Sequence, residues 1–143
     1  MKLRIVAVGS IKERHFREGI DVYLGRLRRY CNVEEVEVKG GKEVGPALRR
    51  ACRGATVVAL DVAGDTMSSR EMARRLERLA ARDKGIVAFM IGGADGLPSA
   101  LCDEAHARWS LSALTFPHRL ARLLLSEQLY RALTIIRGAP YDH

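Results

Sequence analysis

The chain has 143 residues, of which 48% are hydrophobic and 29% are charged, and its formal net charge is +7. This length predicts one domain, residues 1–143, with a substantial buried core. No apolar run approaches the roughly 20 residues of a membrane-spanning helix, and the apolar, basic opening is too short for a signal peptide, so we predict a cytoplasmic protein without a membrane partner.

The first third of the chain alternates between strand and helix patterns. Residues 3–9 predict a strand, and apolar residues at helical spacing predict an amphipathic helix over about 17–30. Valine and glutamate then alternate over 35–38, as in a half-buried outer strand. Apolar residues between 44 and 51 mark the next helix.

The longest apolar run, residues 86–91, has the pattern of a fully buried parallel strand. Before it, residues 56–60 predict a short buried strand, and a capping-box pattern at 68–71 starts a helix. The segment 92–96 (Gly-Gly-Ala-Asp-Gly) follows the apolar run at once. Its glycines allow backbone N–H groups to approach a ligand closely.

A final strand is predicted at 109–114, followed by a long helix that runs to about Ile136. Thr115 is expected to cap this helix and Pro117 to occupy its first turn. The helix is apolar on two faces, of which one covers the sheet and the other needs a partner. The first face comprises Ala121, Leu125, Leu129, Ala132 and Ile136, and the second comprises Leu120, Leu123, Leu124 and Tyr130. This second face predicts a symmetric homodimer.

The alternation of strands and helices predicts an α/β fold with a mostly parallel sheet. Parallel strands send their carboxyl ends to one edge, and open α/β sheets bind ligands at that edge. We therefore expect a pocket formed by residues 60–64, 92–96 and 111–117.

No single motif among these segments is decisive. The glycine-rich segment 92–96 lacks the Lys-Ser/Thr of a P-loop and the spacing of a dinucleotide fingerprint, and it suits a plain turn between strand and helix equally well. His118 is either a site residue or an ordinary first-turn histidine. Glu127 lies on a mostly apolar helix surface, where a carboxylate needs a partner, and Arg131 is placed to supply one.

The cysteines and histidines do not have the spacing of a metal site. Cys31, Cys52 and Cys102 lack CxxC spacing and are expected to be buried thiols, and the four histidines are scattered. The positive net charge favours a polyanionic partner such as nucleic acid, although an arginine-rich composition also arises from genome bias.

Three segments of the chain resemble one family when they are taken together. They are residues 91–96 (Ile-Gly-Gly-Ala-Asp-Gly), residues 109–118 (Trp-Ser-Leu-Ser-Ala-Leu-Thr-Phe-Pro-His), and the stretch from Glu127-Gln-Leu-Tyr-Arg-Ala through Pro140-Tyr141. With the length and the opening residues 1–9, they resemble the SPOUT-class methyltransferases that modify N3 of a pseudouridine in the 23S rRNA of the large ribosomal subunit. The resemblance spans essentially the whole chain.

The resemblance implies a SPOUT-type α/β knot, in which the C-terminal part threads through a loop as a deep trefoil knot. It also implies S-adenosyl-L-methionine as cofactor, no metal, a homodimer, and action on the assembled ribosome. Carried over to this sequence, the cofactor contacts fall on the same three strand ends that the sheet argument selects. They are Leu60, Gly93, Ser112, Ala113, Leu114, Thr115, Phe116 and Pro117.

Methylation of N3 requires the loss of its imide proton, so a positioned proton acceptor is expected. We predict that the C-terminal tail Tyr141-Asp142-His143 supplies it, with His118 as the second candidate. The tail of the family typically reads Tyr-His followed by Arg or Lys, so Asp142 replaces the usual histidine and His143 the usual basic residue. Either Asp142 or His143 takes the role, or the tail chiefly positions RNA.

Basic side chains are expected to contact RNA phosphates. Examples are Arg4, Arg14, Arg17, Arg119 and Arg122. Three other interpretations stay open at this point. They are a SPOUT methyltransferase acting on tRNA or another rRNA base, a non-enzymatic RNA- or ribosome-binding α/β protein, and a small-molecule nucleotide-binding enzyme.

Overall fold

A computed structural model describes residues 1–141, so Asp142 and His143 lie outside the described residues. Within this range five strands and five helices alternate strictly along the chain. The strands are β1 (Lys2–Val8), β2 (Asn32–Val38), β3 (Thr56–Asp65), β4 (Ile86–Ile91) and β5 (Ala107–Trp109). The helices are α1 (Arg14–Leu27), α2 (Val44–Ala51), α3 (Ser69–Ala80), α4 (Ser99–Glu104) and α5 (His118–Arg137).

The five strands form one sheet in the order β2-β1-β4-β3-β5, and every pairing between neighbours is parallel. The predicted α/β fold with a parallel sheet is therefore confirmed. The alternating valine–glutamate strand β2 lies at one edge of the sheet, as its pattern predicts. None of the helices described in residues 1–141 is long and apolar enough to cross a membrane.

Helices cover both faces of the sheet. The side chains of β4 show this directly, because they enter two different cores in alternation. Val87, Phe89 and Ile91 enter the core beneath α1, α3 and α5, whereas Ala88 and Met90 enter a second core beneath α2 and α4. Phe89 and Ala88 are fully buried, which is the burial expected for a central strand of a parallel sheet.

The predicted boundaries of β3 and β5 are wrong. β5 ends at Trp109, because the hydroxyl of Ser110 donates to the carbonyl of Ser112 (2.8 Å) and the hydroxyl of Ser112 accepts from the amide of Leu114 (3.0 Å). Serine side chains that bond to nearby backbone in this way favour a turn over a strand. β3 instead continues past its predicted end, with an irregularity between Leu60 and Asp65 that places both opposite Trp109.

The predicted helix boundaries also need correction. α1 lies three residues earlier at each end, since its last turn tightens at Arg28 and Tyr30 donates to the carbonyl of Leu27. α5 begins at His118, after Pro117 as the N-cap residue, and the expected side-chain cap from Thr115 is not formed. The capping serine Ser68 is confirmed, because its hydroxyl accepts from the amide of Glu71 at 3.1 Å.

Two members of the predicted outward apolar face of α5 are misplaced. Tyr130 is fully buried, with its ring near those of Tyr23 and Tyr30 (6.3 Å between centroids in each case). Leu123 packs against the core as well, at Gly19 of α1. The outward face is therefore narrower than predicted and keeps the half-buried Leu120 and Leu124.

A charge network centred on the buried Arg122 fixes α5 against the edge strand. Arg122 is only 2% exposed, and its guanidinium donates to Glu35 (Nε, 3.0 Å) and to Glu37 (2.7 Å) of β2. Glu35 also accepts from Arg17 of α1 at 2.9 Å. The prediction that Arg122 contacts RNA phosphate is therefore wrong. Arg4 is also engaged within the fold, where it donates to the carbonyl of Ala51 (3.0 Å).

Replacement of Arg122 by alanine should lower the free energy of unfolding by about 2–3 kcal/mol, because it removes the buried guanidinium from Glu37 and leaves the largely buried Glu35 with Arg17 alone. Urea denaturation measures this loss. Arg49→Ala is the matched control, since it breaks an ion pair with Glu104 whose two side chains are about half exposed. This control should cost at most about 1 kcal/mol. Equal losses for the two variants would contradict the stabilising role of the buried network.

Candidate active site

The carboxyl ends of β1, β4, β3 and β5 lie side by side, because these strands are consecutive neighbours in a parallel sheet. The segments that leave β4, β3 and β5 are therefore adjacent at one edge. They are the three segments selected from the sequence, and this edge is where open α/β sheets bind ligands.

The turn after β4 depends on glycine. A Cβ at Gly92 would lie 2.4 Å from the carbonyl carbon of Gly96, and Gly96 has φ +73°. The amide of Gly96 donates to the carbonyl of Gly93 at 3.0 Å and closes the turn. A Cβ at Gly93 would lie 3.3 Å from a methyl of Val8 at the end of β1. The backbone at Gly93 therefore approaches the sheet edge without a side chain in the way.

The end of β3 pairs with Trp109 at two positions. Leu60 pairs with Trp109, residues 61–64 bulge outward, and Asp65 then pairs with Trp109 again. A Cβ at Gly64 would lie 2.7 Å from the carbonyl group of Arg108, so only glycine permits this approach. The amide of Ser110 donates to the carbonyl of Asp65 at 2.8 Å. These contacts hold the start of the loop after β5 against β3.

Residues 110–117 form an open loop between β5 and α5. Ala113, Leu114 and Thr115 are exposed, and Leu114 is 70% exposed although it is apolar. The amides of Thr115 and Phe116 make no hydrogen bond to any other residue in the described part of the chain. An apolar side chain beside available backbone donors suits a ligand with a flat ring and polar edges.

The predicted site residues fall into two groups. Leu60, Gly93 and the residues of the loop from Ser112 to Pro117 belong to the three adjacent segments, and His118 follows the loop as the first residue of α5. Tyr141 lies apart from them. Its hydroxyl donates to Glu127, which is about 13 Å further along α5 than His118 at 1.5 Å per residue.

Glu127 is the centre of a polar network that the sequence indicated only in part. Arg131 donates to it at 2.7 Å, as the spacing of four residues predicts. Gln128 also donates to it at 2.6 Å, and the hydroxyl of Ser69 donates to Gln128 at 2.7 Å. The contributions of Ser69 and Gln128 were not expected from the sequence. Polar residues at the start of α3 and on a mostly apolar helix were the available signal.

The pKa values of Glu127 and Tyr141 shift in opposite directions in this network. Burial of Glu127 opposes its ionisation, yet the hydrogen bonds from Arg131 and Tyr141 outweigh burial and lower its pKa. Burial and the adjacent Glu127 carboxylate both raise the pKa of Tyr141 well above its ordinary value. Tyr141 is therefore a protonated hydrogen-bond donor at neutral pH, and Glu127 is an ionised acceptor.

The remaining reactive side chains near the sheet are engaged or buried. Arg108 pairs with Asp103 (2.9 Å) and lies 3.5 Å from Asp61. The three cysteines are free thiols, and burial raises the pKa of Cys52 to about 11. Cys52 and Cys102 are buried as predicted, whereas Cys31 is half-buried. No group of three metal-binding side chains occurs among residues 1–141.

The fold and this edge define an α/β protein with a ligand site at the carboxyl ends of parallel strands. A family model described as "Predicted SPOUT methyltransferase" matches residues 1–143. The chain belongs to this SPOUT methyltransferase family.

Relatives and solved structures agree with this assignment. The chain is 53% identical to the ribosomal RNA large subunit methyltransferase H of Sorangium cellulosum and 42% identical to that of Acetivibrio thermocellus. The first alignment covers 100% of both chains and the second 99% of both.

Two solved structures share the fold at low identity. A probable methylase family protein from Haemophilus influenzae aligns over 99% of this chain and 70% of its own, with a TM-score of 0.62 and 16% identity. A probable methyltransferase from Bordetella pertussis aligns over 92% of this chain and 93% of its own, with a TM-score of 0.62 and 18% identity.

Replacement of Gly92 by alanine should lower the free energy of unfolding by about 1–3 kcal/mol, because the added methyl group collides with the backbone of Gly96. Thermal and urea unfolding measure the change. Gly25→Ala is the matched control, since Gly25 is exposed in the last turn of α1 with open space around its Cα. The control should gain about 0.5–1 kcal/mol from helix propensity. A neutral Gly92→Ala would contradict the tight turn.

Proposed function

We propose that this protein methylates N3 of a pseudouridine in 23S rRNA on the assembled ribosome, with S-adenosyl-L-methionine as methyl donor. The position in the fold of the segments that resemble the rRNA methyltransferases is the observation that carries the proposal. Two of the three segments, 91–96 and 109–118, begin where β4 and β5 end, and the end of β3 lies between them at the carboxyl edge of the sheet. The 53% identity to a ribosomal RNA large subunit methyltransferase H over the whole chain supports the substrate class.

The residues present fit S-adenosyl-L-methionine. Gly93 leaves the edge beside Val8 without a side chain, and the amides of Thr115 and Phe116 stand beside the exposed Leu114. This combination suits the adenine ring and the ribose of the cofactor. When bound, the cofactor supplies an electrophilic methyl group on sulfur. We assign its binding to Leu60, Gly93, Ser112, Ala113, Leu114, Thr115, Phe116 and Pro117.

The protein side chains must orient the base and accept its N3 proton. Because Tyr141 keeps its own proton through Glu127, we assign it to positioning and not to proton acceptance. The acceptor then comes from Asp142 or His143, with His118 at the start of α5 as the second candidate. Asp142 and His143 follow Tyr141 directly in the chain.

We propose a cytoplasmic homodimer with one domain per chain. The half-buried Leu120 and Leu124 on α5, together with the 39% exposed Ile135, supply apolar surface for a second copy. The trefoil knot that the family resemblance implies stays a prediction.

The proposed RNA contacts draw on the net charge of +7 and on exposed arginines. Arg14 is 91% exposed and pairs with Glu18. Arg17 and Arg119 also pair with carboxylates, Arg119 with Glu13 at 2.6 Å. Contacts with RNA phosphates release counterions from the RNA, so binding should weaken as salt is raised.

Incubation of the purified protein and S-adenosyl-L-methionine with 70S ribosomes should yield N3-methylpseudouridine in a nucleoside digest of the 23S rRNA. Ribosomes from cells that lack this protein provide the unmodified substrate, and tRNA and isolated large subunits serve as comparison substrates. A methylated base in tRNA alone, or a different modified base in rRNA, would overturn the proposed substrate. Methylation of neither RNA would overturn the enzyme assignment.

Two glycine replacements connect the activity to the site. Gly93→Leu should abolish methylation, because its side chain would occupy the edge beside Val8. Gly25→Leu places the same side chain on the exposed side of α1 and should leave activity unchanged. Full activity of Gly93→Leu would place the cofactor elsewhere.

A further inference from the structure

The C-terminal segment turns back along α5 and attaches to its middle. Gly138 ends the helix in the left-handed conformation (φ +62°), and the amide of Ala139 donates to the carbonyl of Thr134 at 2.9 Å. Tyr141 then reaches Glu127, ten residues before the last residue of the helix and therefore about 15 Å back along its axis. The hydrogen bond to Glu127 thus holds Tyr141 against the middle of α5.

The carboxylate of Glu127 is buried and saturated with donors. Its side chain is 15% exposed, and it accepts from Arg131 (2.7 and 3.2 Å), Gln128 (2.6 Å) and Tyr141. The amide oxygen of Gln128 accepts in turn from Ser69 of α3. The attachment point of the tail is therefore held by two helices.

The ring of Tyr141 is held as firmly as its hydroxyl. The guanidinium of Arg131 lies 4.2 Å from the ring centroid, and the ring of the fully buried Tyr130 lies 5.1 Å away. A cation over a tyrosine ring is attractive, and more so when both groups are partly desolvated. Arg131 therefore contacts both halves of the Glu127–Tyr141 pair and joins them.

The salt bridge between Glu127 and Arg131 does not need a third residue. The hydrogen bond from Tyr141 to the same carboxylate therefore requires a separate explanation. We infer that Glu127 is a positioning residue, whose carboxylate latches Tyr141 so that the last two residues of the chain are presented to the reacting base. This inference rests on the proposed function. We refer to Glu127, Arg131 and Tyr141 together as the tail latch.

Glu127→Gln tests the latch because the amide keeps the size of the side chain but carries donors where Arg131 and Tyr141 also donate. In methyl-transfer assays on 70S ribosomes, Glu127→Gln and Tyr141→Phe should each lower kcat about tenfold or more, with the affinity for S-adenosyl-L-methionine nearly unchanged. The double variant should be no slower than the slower single variant, since both remove one interaction. His143→Ala removes a proposed proton acceptor, and its kcat is the reference for loss of the function of the tail.

Glu104→Gln is the matched control. It neutralises a carboxylate of the short helix α4 that pairs with Arg49, and it should retain wild-type kcat. Circular dichroism and melting curves establish that all variants are folded. Wild-type kcat in Glu127→Gln, or losses that simply multiply in the double variant, would overturn the latch while leaving the proposed function intact.

A second readout does not use activity. In protein with 13C at the tyrosine Cζ atoms, the Tyr141 resonance is identified by its absence in Tyr141→Phe. Its titration should move to lower pH in Glu127→Gln, because the carboxylate that stabilises the protonated phenol is gone. An unchanged titration would overturn the latch even if the wild-type enzyme methylated no RNA, so failure of the latch and failure of the proposed function are distinguishable.

Discussion

Parallel pairing of four neighbouring strands is the constraint on which the rest of this structure depends. β1, β4, β3 and β5 run in the same direction, so the turns that leave them are brought to one edge regardless of their separation in sequence. The central strand β4 is buried on both faces, which leaves its glycine turn little freedom to move. The site consists of backbone more than of side chains, and the glycines at 64, 92 and 93 permit the close approach of these segments to their neighbours.

Charged groups then fix α5, the element that connects this edge to the C-terminal tail. Arg119 pairs with Glu13 near its start, Arg122 is buried against Glu35 and Glu37 one turn later, and Glu127 holds Tyr141 at its middle. Hydrophobic contacts seat the helix on the sheet, but they are non-directional. The ion pairs are directional and fix the position of α5. That position determines where the loop before α5 and the tail after it lie.

The sequence predicts those features of the fold and the site that depend on neighbouring residues. The apolar run of β4, the glycine turn after it, the Ser68 cap and the pairing of Glu127 with Arg131 each depend on residues within a few positions of one another. Features that depend on distant partners were missed. The bulge in β3 exists because Trp109 lies beside it, and the partners of Arg122 are 85 and 87 residues away. Arg122 lies three residues before the buried Leu125, and this position on the core face was the signal that it is inside.

The most direct test of the site is to map where S-adenosyl-L-methionine binds. In 15N-labelled protein, we predict that the largest amide shifts on titration fall at Gly93 and in residues 112–116. The opposite edge of the sheet, where β1 and β2 begin, offers an internal comparison, because Lys2, Arg28 and residues 31–34 line an open groove there. Shifts concentrated at the residues of this groove, with Gly93 and Phe116 unmoved, would contradict the assignment of the methyl donor to the carboxyl edge.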